Sequence, residues 1–242
     1  MKYKLTLAFD GNAFSGWQMQ KNAPTVQAEM TRVARLVLGN TATVTGSSRT
    51  DSGVHAKGYV CHIDTEKTIQ CHSVVDAFNH NLDPHIAVLD CKAVEDEFHA
   101  RYSAHSKEYR YFIKNSRIPD PFLNSRAWLY GGSLDVEKMK SAAREFTGVH
   151  DFKAFMATGS KIEDTVREVY LSEIENNGDT IVFRVRANGF LYNMVRIMVG
   201  TLVDIARGKI DMCVTDIINS KERSRAGVTA PSCGLYLWSV EY

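Results

Sequence analysis

No stretch of this sequence is apolar for long enough to cross a bilayer, and its opening, in which Lys2 and Lys4 alternate with Tyr3 and Leu5, has the period of a strand rather than the apolar core of a secretion signal. A soluble, cytoplasmic protein is the expectation. Cysteine is scarce: Cys61, Cys71, Cys91, Cys213 and Cys233 are an odd set with no close pair, which argues against a disulfide framework and against a zinc knuckle. Cys61-His62 with Cys71-His72 is the one grouping with metal-binding chemistry. Neighbours in a strand face opposite ways, so the reading is free thiols, with a half-buried Cys61 beside a solvated His62. Net charge is also nearly absent, 29 Lys and Arg against 28 Asp and Glu giving +1. A nucleic-acid partner would then require basic side chains segregated on one face, because phosphate contacts supply most non-specific affinity. Local basic groups such as Lys221, Arg223 and Arg225, or Lys107 and Arg110, could line one such face. Helix-turn-helix, zinc-finger, P-loop and G-x-G-x-x-G patterns are missing as well, which removes the commonest DNA readers, nucleotide triphosphatases and dinucleotide enzymes.

What is present has a repeated grammar. Residues 3–9 read as a strand, and a helix follows from Thr25, an N-cap residue with Pro24 before it, burying Val26, Met30, Val33, Leu36 and Val37. Strands at 41–47 and 58–63, a helix at 73–81 and a strand at 86–93 complete a first unit. The second half offers a strand at 107–114, a helix at 135–147, strands at 166–175 and 180–187, a helix at 190–206 and a last strand at 235–240. Neither half alternates strand and helix regularly enough for a parallel doubly wound sheet. The expected class is α+β: two ferredoxin-like (RRM-like) subdomains, 1–105 and 106–242, each with helices on one face of a mainly antiparallel sheet. Residues 115–132, punctuated by Pro119, Pro121, Gly131 and Gly132, read as a connector.

Two places carry chemistry. Ser48-Arg49-Thr50-Asp51-Ser52-Gly53-Val54-His55-Ala56 sets one carboxylate between an arginine and a glycine turn, directly after the β-branched run 41–45. A strand delivers such a loop to a fixed place, and Arg49, two positions from Asp51, can point the same way. Arg196 lies inside the apolar run 190–203. A guanidinium there is either paired, since an unpartnered buried cation costs several kcal/mol, on the order of a domain's net stability, or it snorkels to water along its stem.

The chain resembles the tRNA pseudouridine synthase A family. The likeness rests on Phe14-Ser15-Gly16-Trp17-Gln18-Met19-Gln20, Thr25-Val26-Gln27, the Ser48–Lys57 loop, Phe98-His99-Ala100-Arg101-Tyr102-Ser103-Ala104, Tyr109-Arg110-Tyr111, Asn193-Met194-Val195-Arg196 and Ala230-Pro231 with Gly234-Leu235-Tyr236. It implies the pseudouridine synthase fold, two subdomains sharing an extended sheet with a central cleft. It also implies isomerisation of uridine to pseudouridine at positions 38, 39 and 40 of the tRNA anticodon stem-loop, without cofactor or metal, by a cytoplasmic homodimer that does not bind membrane. Asp51 takes the place of the catalytic aspartate, Arg196 that of its paired arginine, and Tyr109 that of the tyrosine against the base. Arg49 falls where the family binds and flips RNA. Tyr109 and Tyr111 share a strand face, and a base pulled from a stem needs such a flat apolar surface in place of its lost stacking; Tyr111 is read as structural. His55 is read as fixing the loop by donating a hydrogen bond, and Trp17 and Gln18 as buttressing it or touching RNA. Three places depart from the family pattern: Ser48 stands where many relatives have glycine, His85 where an acid is common, and Tyr192-Asn193 where some members have a histidine-rich pair.

Overall fold

A computed structural model describes residues 1–160 and 162–242. They group into two compact units, Met1–His105 with Tyr236–Tyr242, and Ser106–Leu235. Both have the α+β composition and the mainly antiparallel pairing expected from the sequence.

The first unit is built from β1 (Lys2–Phe9), α1 (Val26–Leu38), β2 (Thr43–Gly46), β3 (His55–Asp64), α2 (Cys71–Asn81) and β4 (Ile86–Val94). β1 lies between β3 and β4, antiparallel to both, with Leu5 opposite Cys61 on one side and Cys91 on the other. Tyr3, Leu5 and Leu7 alternate inward and are fully buried with Met30, Val33, Val74 and Phe78. The Thr25 hydroxyl accepts from the Ala28 amide and starts α1. Its buried stripe runs Val26, Met30, Val33, Ala34 and Leu38, while Leu36 is 62% exposed, contrary to the sequence reading. The cause is angular, since Leu36 is two residues, about 200°, around the helix from Ala34. The second expectation that fails is a solvated His62: Cys61 is fully buried and His62 is 3% exposed, because residues 98–100 cover the strand face opposite Cys61. All five cysteines are thiols.

The second unit follows as β5 (Ser106–Lys114), β6 (Trp128–Leu129), α3 (Val136–Arg144), β7 (Gly148–Asp151), β8 (Val166–Asn177), β9 (Thr180–Ala187), α4 (Met194–Ala206) and α5 (Val214–Ser220). The antiparallel order is β5-β9-β8-β7, and β6, inside the expected connector, pairs parallel with β5. Tyr111, Phe146, Phe155 and Phe183 are fully buried in its core. α4 begins at Met194 rather than Phe190, because Asn193 takes a left-handed conformation with φ of 59° that an α-helix cannot contain. α5 is too short for its periodicity to stand out in the sequence. The last strand, β10 (Leu235–Glu241), pairs parallel with β3 in the first unit, Tyr236 opposite His55 and Leu237 opposite Ala56.

Candidate active site

Asp51 lies on a loop whose ends are fixed by the strands around it. β2 pairs with the far end of β3, Gly46 opposite Cys61 and Thr43 opposite Asp64, whereas β10 pairs with its beginning. Residues 47–54 bridge those two places along the same edge of β3. The Ser47 amide, donating to the Val60 carbonyl, holds the loop there. A turn closed by the Val54 amide on the Asp51 carbonyl then reverses the chain into β3. Gly53 has φ of +77°, the backbone freedom expected of it.

The segment after β1 supports this loop from one side. Trp17 donates its amide to the Thr50 carbonyl, and its indole stacks on Tyr59 with ring centroids 4.2 Å apart. The Tyr59 hydroxyl in turn donates to the Ser48 carbonyl. Gly16 has φ of +89°, and a Cβ on it would sit 2.4 Å from the Thr50 carbonyl oxygen, so only glycine lets the two backbones meet. From the start of β3, His55, 2% exposed, accepts the Gly11 amide on Nδ1 at 3.1 Å, and the same nitrogen lies 3.2 Å from Asp10 Oδ1. The histidine thus ties the start of β3 to the segment after β1, taking the Gly11 amide on Nδ1. Gln27, the last residue of the Thr-Val-Gln signature, accepts on Oε1 from Gln18 Nε2 and the Met19 amide and donates to the Val44 carbonyl of β2. Nothing in the sequence marked Gln27 as the joint between these segments, because its partners are 8 to 17 residues away.

In the second unit, Arg196 is half-buried on the first turn of α4. Its Nε donates to the Ala230 carbonyl at 2.7 Å and its Nη1 to Asn193 Oδ1 at 2.9 Å, while its own carbonyl accepts the Ala230 amide. The Tyr111 hydroxyl donates to the next carbonyl, that of Pro231, at 2.7 Å, and burial raises its pKa. The Ala-Pro signature is therefore a segment held by Arg196 and Tyr111 together. Tyr111 is buried, as read. Tyr109, 8% exposed, packs edge-on against Phe190, centroids 5.0 Å apart. Among the described residues no group of three or more His, Cys, Asp or Glu side chains is placed to hold a metal, and no helix is long and apolar enough to cross a membrane.

A family model described as tRNA pseudouridine synthase matches residues 6–103 and 142–242. The chain belongs to that family. The tRNA pseudouridine synthase A of Thermoanaerobacter sp. (strain X514) is 45% identical over 239 residues, 98% of each chain. That of Bacillus subtilis (strain 168) is 41% identical over 245 residues, 100% of this chain and 99% of the other. A chain from a Cbf5-Nop10-Gar1 complex aligns over 83% of this chain and 44% of its own at 13% identity, with a TM-score of 0.36, too slight a likeness to bear on the fold. Asp51, Arg49 and Arg196 fall within the matched residues of the family model, and Tyr109 falls between its two parts.

Asp51 and Arg49 share one loop of the first unit; Tyr109 and Arg196 belong to the second. Arg49 is exposed and has no ion pair or hydrogen bond to the described residues. The basic groups singled out in the sequence as phosphate contacts are mostly occupied elsewhere. Arg223 donates to the carbonyls of Ala226 and Gly227 and to the Thr229 hydroxyl, Arg225 pairs with Glu222, Lys221 with Asp151, and Arg110 with Glu108. Of the departures from the family pattern, Ser48 bonds through its backbone only, its hydroxyl being buried without a partner among the described residues. Asp83 and His85 bond each other across 2.8 Å, and Asn193 anchors Arg196.

Proposed function

We propose that this protein isomerises uridine to pseudouridine at positions 38, 39 and 40 of the tRNA anticodon stem-loop, with Asp51 as its one essential carboxylate and no cofactor. Family membership along nearly the whole chain supports the reaction class, and the chemistry supports the choice of Asp51. The bond between ribose C1′ and uracil N1 breaks, the base turns, and C1′ joins C5 while the C5 proton moves to N1. Atoms and electrons balance within the nucleotide, so neither a redox group nor a second substrate is required. The reaction needs an ionised carboxylate able to attack the sugar, attack C6 of the base, or accept a sugar proton. Asp51 is the only acid in the signature loop, and that loop is braced by Trp17, Gly16, Tyr59 and the Gly11–His55 bond. Preorganisation of this kind keeps the reacting group in place when the base leaves the stem.

Tyr109 is assigned the aromatic face that takes the flipped base, Arg196 a binding role toward the substrate, and Arg49 a phosphate beside the flipped nucleotide. A cytoplasmic homodimer is the form in which we expect it to act. Incubating purified protein with uridine-labelled tRNA transcripts, with pseudouridine mapped by position, tests the reading. Pseudouridine confined to positions 38 to 40 supports it, and tRNA binding without any isomerisation overturns it. Sedimentation of the purified protein tests the dimer separately.

A further inference from the structure

Tyr102 is 77% exposed, yet its ring is held in place. It lies on His99 with centroids 4.4 Å apart and planes inclined by 31°. His99 in turn packs against the buried His62, centroids 4.9 Å apart. The His99 ring cannot rotate freely, because its Nδ1 accepts the amides of both Arg101 and Tyr102, at 3.1 and 3.3 Å. A reciprocal pair of bonds, Ser103 amide to His99 carbonyl and His99 amide to Ser103 hydroxyl, closes the turn. Ala100, fully buried, pins the turn to the body of the first unit, donating its amide to His62 Nδ1 and accepting the Tyr242 hydroxyl on its carbonyl. Three rings thus step from the interior to the surface and end on an open aromatic ring. The Arg101 guanidinium stands 5.7 Å from the Tyr102 centroid.

Core packing does not require this arrangement, since Tyr102 leaves most of its own surface in water. A surface tyrosine on a flexible turn would lose less side-chain entropy. An immobilised ring beside a guanidinium is what a nucleobase needs for stacking, and such contacts tolerate any base. We infer that Tyr102, supported by His99 and flanked by Arg101, is a stacking platform for an unpaired base of the RNA substrate, remote from the isomerised nucleotide. The inference rests on RNA being the substrate. Remoteness follows from β3: His62, beneath the platform, is seven residues along the strand from His55, which adjoins the Asp51 loop, and seven residues span about 23 Å. The contact is with a base rather than with phosphate, because Glu95, Asp96 and Glu97 are exposed immediately before the turn and repel the backbone.

The test compares Tyr102→Ala, Tyr102→Leu and Tyr102→Phe with the parent protein. Affinity for a full-length tRNA transcript is measured by filter binding at several salt concentrations, and KM and kcat by pseudouridine formation. Alanine and leucine should each weaken binding about tenfold, within the range for one base on an aromatic side chain. KM should rise with them while kcat and the salt dependence of binding hold, and phenylalanine, which keeps the stack, should restore affinity. Alanine binding within twofold of the parent overturns the platform, as does equal loss with phenylalanine, which would mean a hydroxyl contact, or a loss confined to kcat. If the parent protein binds tRNA but forms no pseudouridine, the functional reading fails while the affinity comparison still decides the platform.

Discussion

Asp51 and Thr50 are adjacent, but their side chains meet opposite conditions. Asp51 is half-exposed at the start of the turn, whereas the Thr50 hydroxyl is buried without a hydrogen-bond partner among the described residues. Asparagine keeps the shape of Asp51 and removes its charge. Asp51→Asn should therefore abolish pseudouridine formation and leave tRNA affinity within about tenfold, about 1.4 kcal/mol; measurable turnover in clean protein would remove Asp51 from the reaction. Thr50→Val deletes a hydroxyl that forms no bond, so a urea melt should show stability unchanged or raised by up to about 1 kcal/mol. A loss beyond that would show the hydroxyl to be bonded in solution. Ser48 is a second buried hydroxyl of this kind, which explains how serine can stand where glycine is usual: its work is done by backbone atoms meeting Tyr59.

Among the elements, the turn between Phe98 and Ser103 depends on one side chain of β3. His62 accepts the Ala100 amide, which requires a neutral ring at Nδ1. Burial is the main cause that lowers its pKa below the ordinary 6.5; the Asp64 carboxylate 3.4 Å from Nε2 opposes that, and Lys2 and His99 add to it. A histidine with a depressed folded pKa is protonated more readily in the unfolded chain, so the unfolded state binds more protons in the window between the two values. The stability it contributes is complete above pH 6.5 and is lost as the pH falls through the depressed folded value. Thermal melts at decreasing pH should show the decline, and His62→Gln, which keeps an acceptor and cannot titrate, should flatten it over that window. An unchanged slope in the glutamine variant would mean that another group governs the acid limb.

For the whole molecule, a net charge of +1 makes tRNA affinity depend on which cations are available rather than on how many there are. Ion pairs and carbonyl contacts already occupy Arg110, Lys221, Arg223 and Arg225, which leaves Arg49 as the basic group beside Asp51 without such a partner among the described residues. Affinity should fall steeply with salt. Arg49→Ala should reduce the slope of log K against log salt by about 0.7 to 0.9, the release expected for one phosphate contact. A slope equal to that of the parent would place Arg49 off the phosphate backbone.

The sequence by itself determined the α+β class, nearly every long element, the capping of α1 by Thr25 and the loop that holds Asp51, because each is written in local signals: two-fold or 3.6-fold apolar periodicity, a cap residue, a glycine turn. It also carried the family, through short motifs spread along the chain. Only the tertiary structure decided that Leu36 faces water, that α4 starts at Met194, that His62 is buried, that His55 takes the Gly11 amide, and that Gln27 joins Gln18 and Met19 to β2. The physical reason is common to these cases. Periodicity tells which residues can share a face but not which segment arrives to cover it, and a polar side chain's partner, donor or acceptor, is set by backbone atoms that chain folding brings from elsewhere in the sequence.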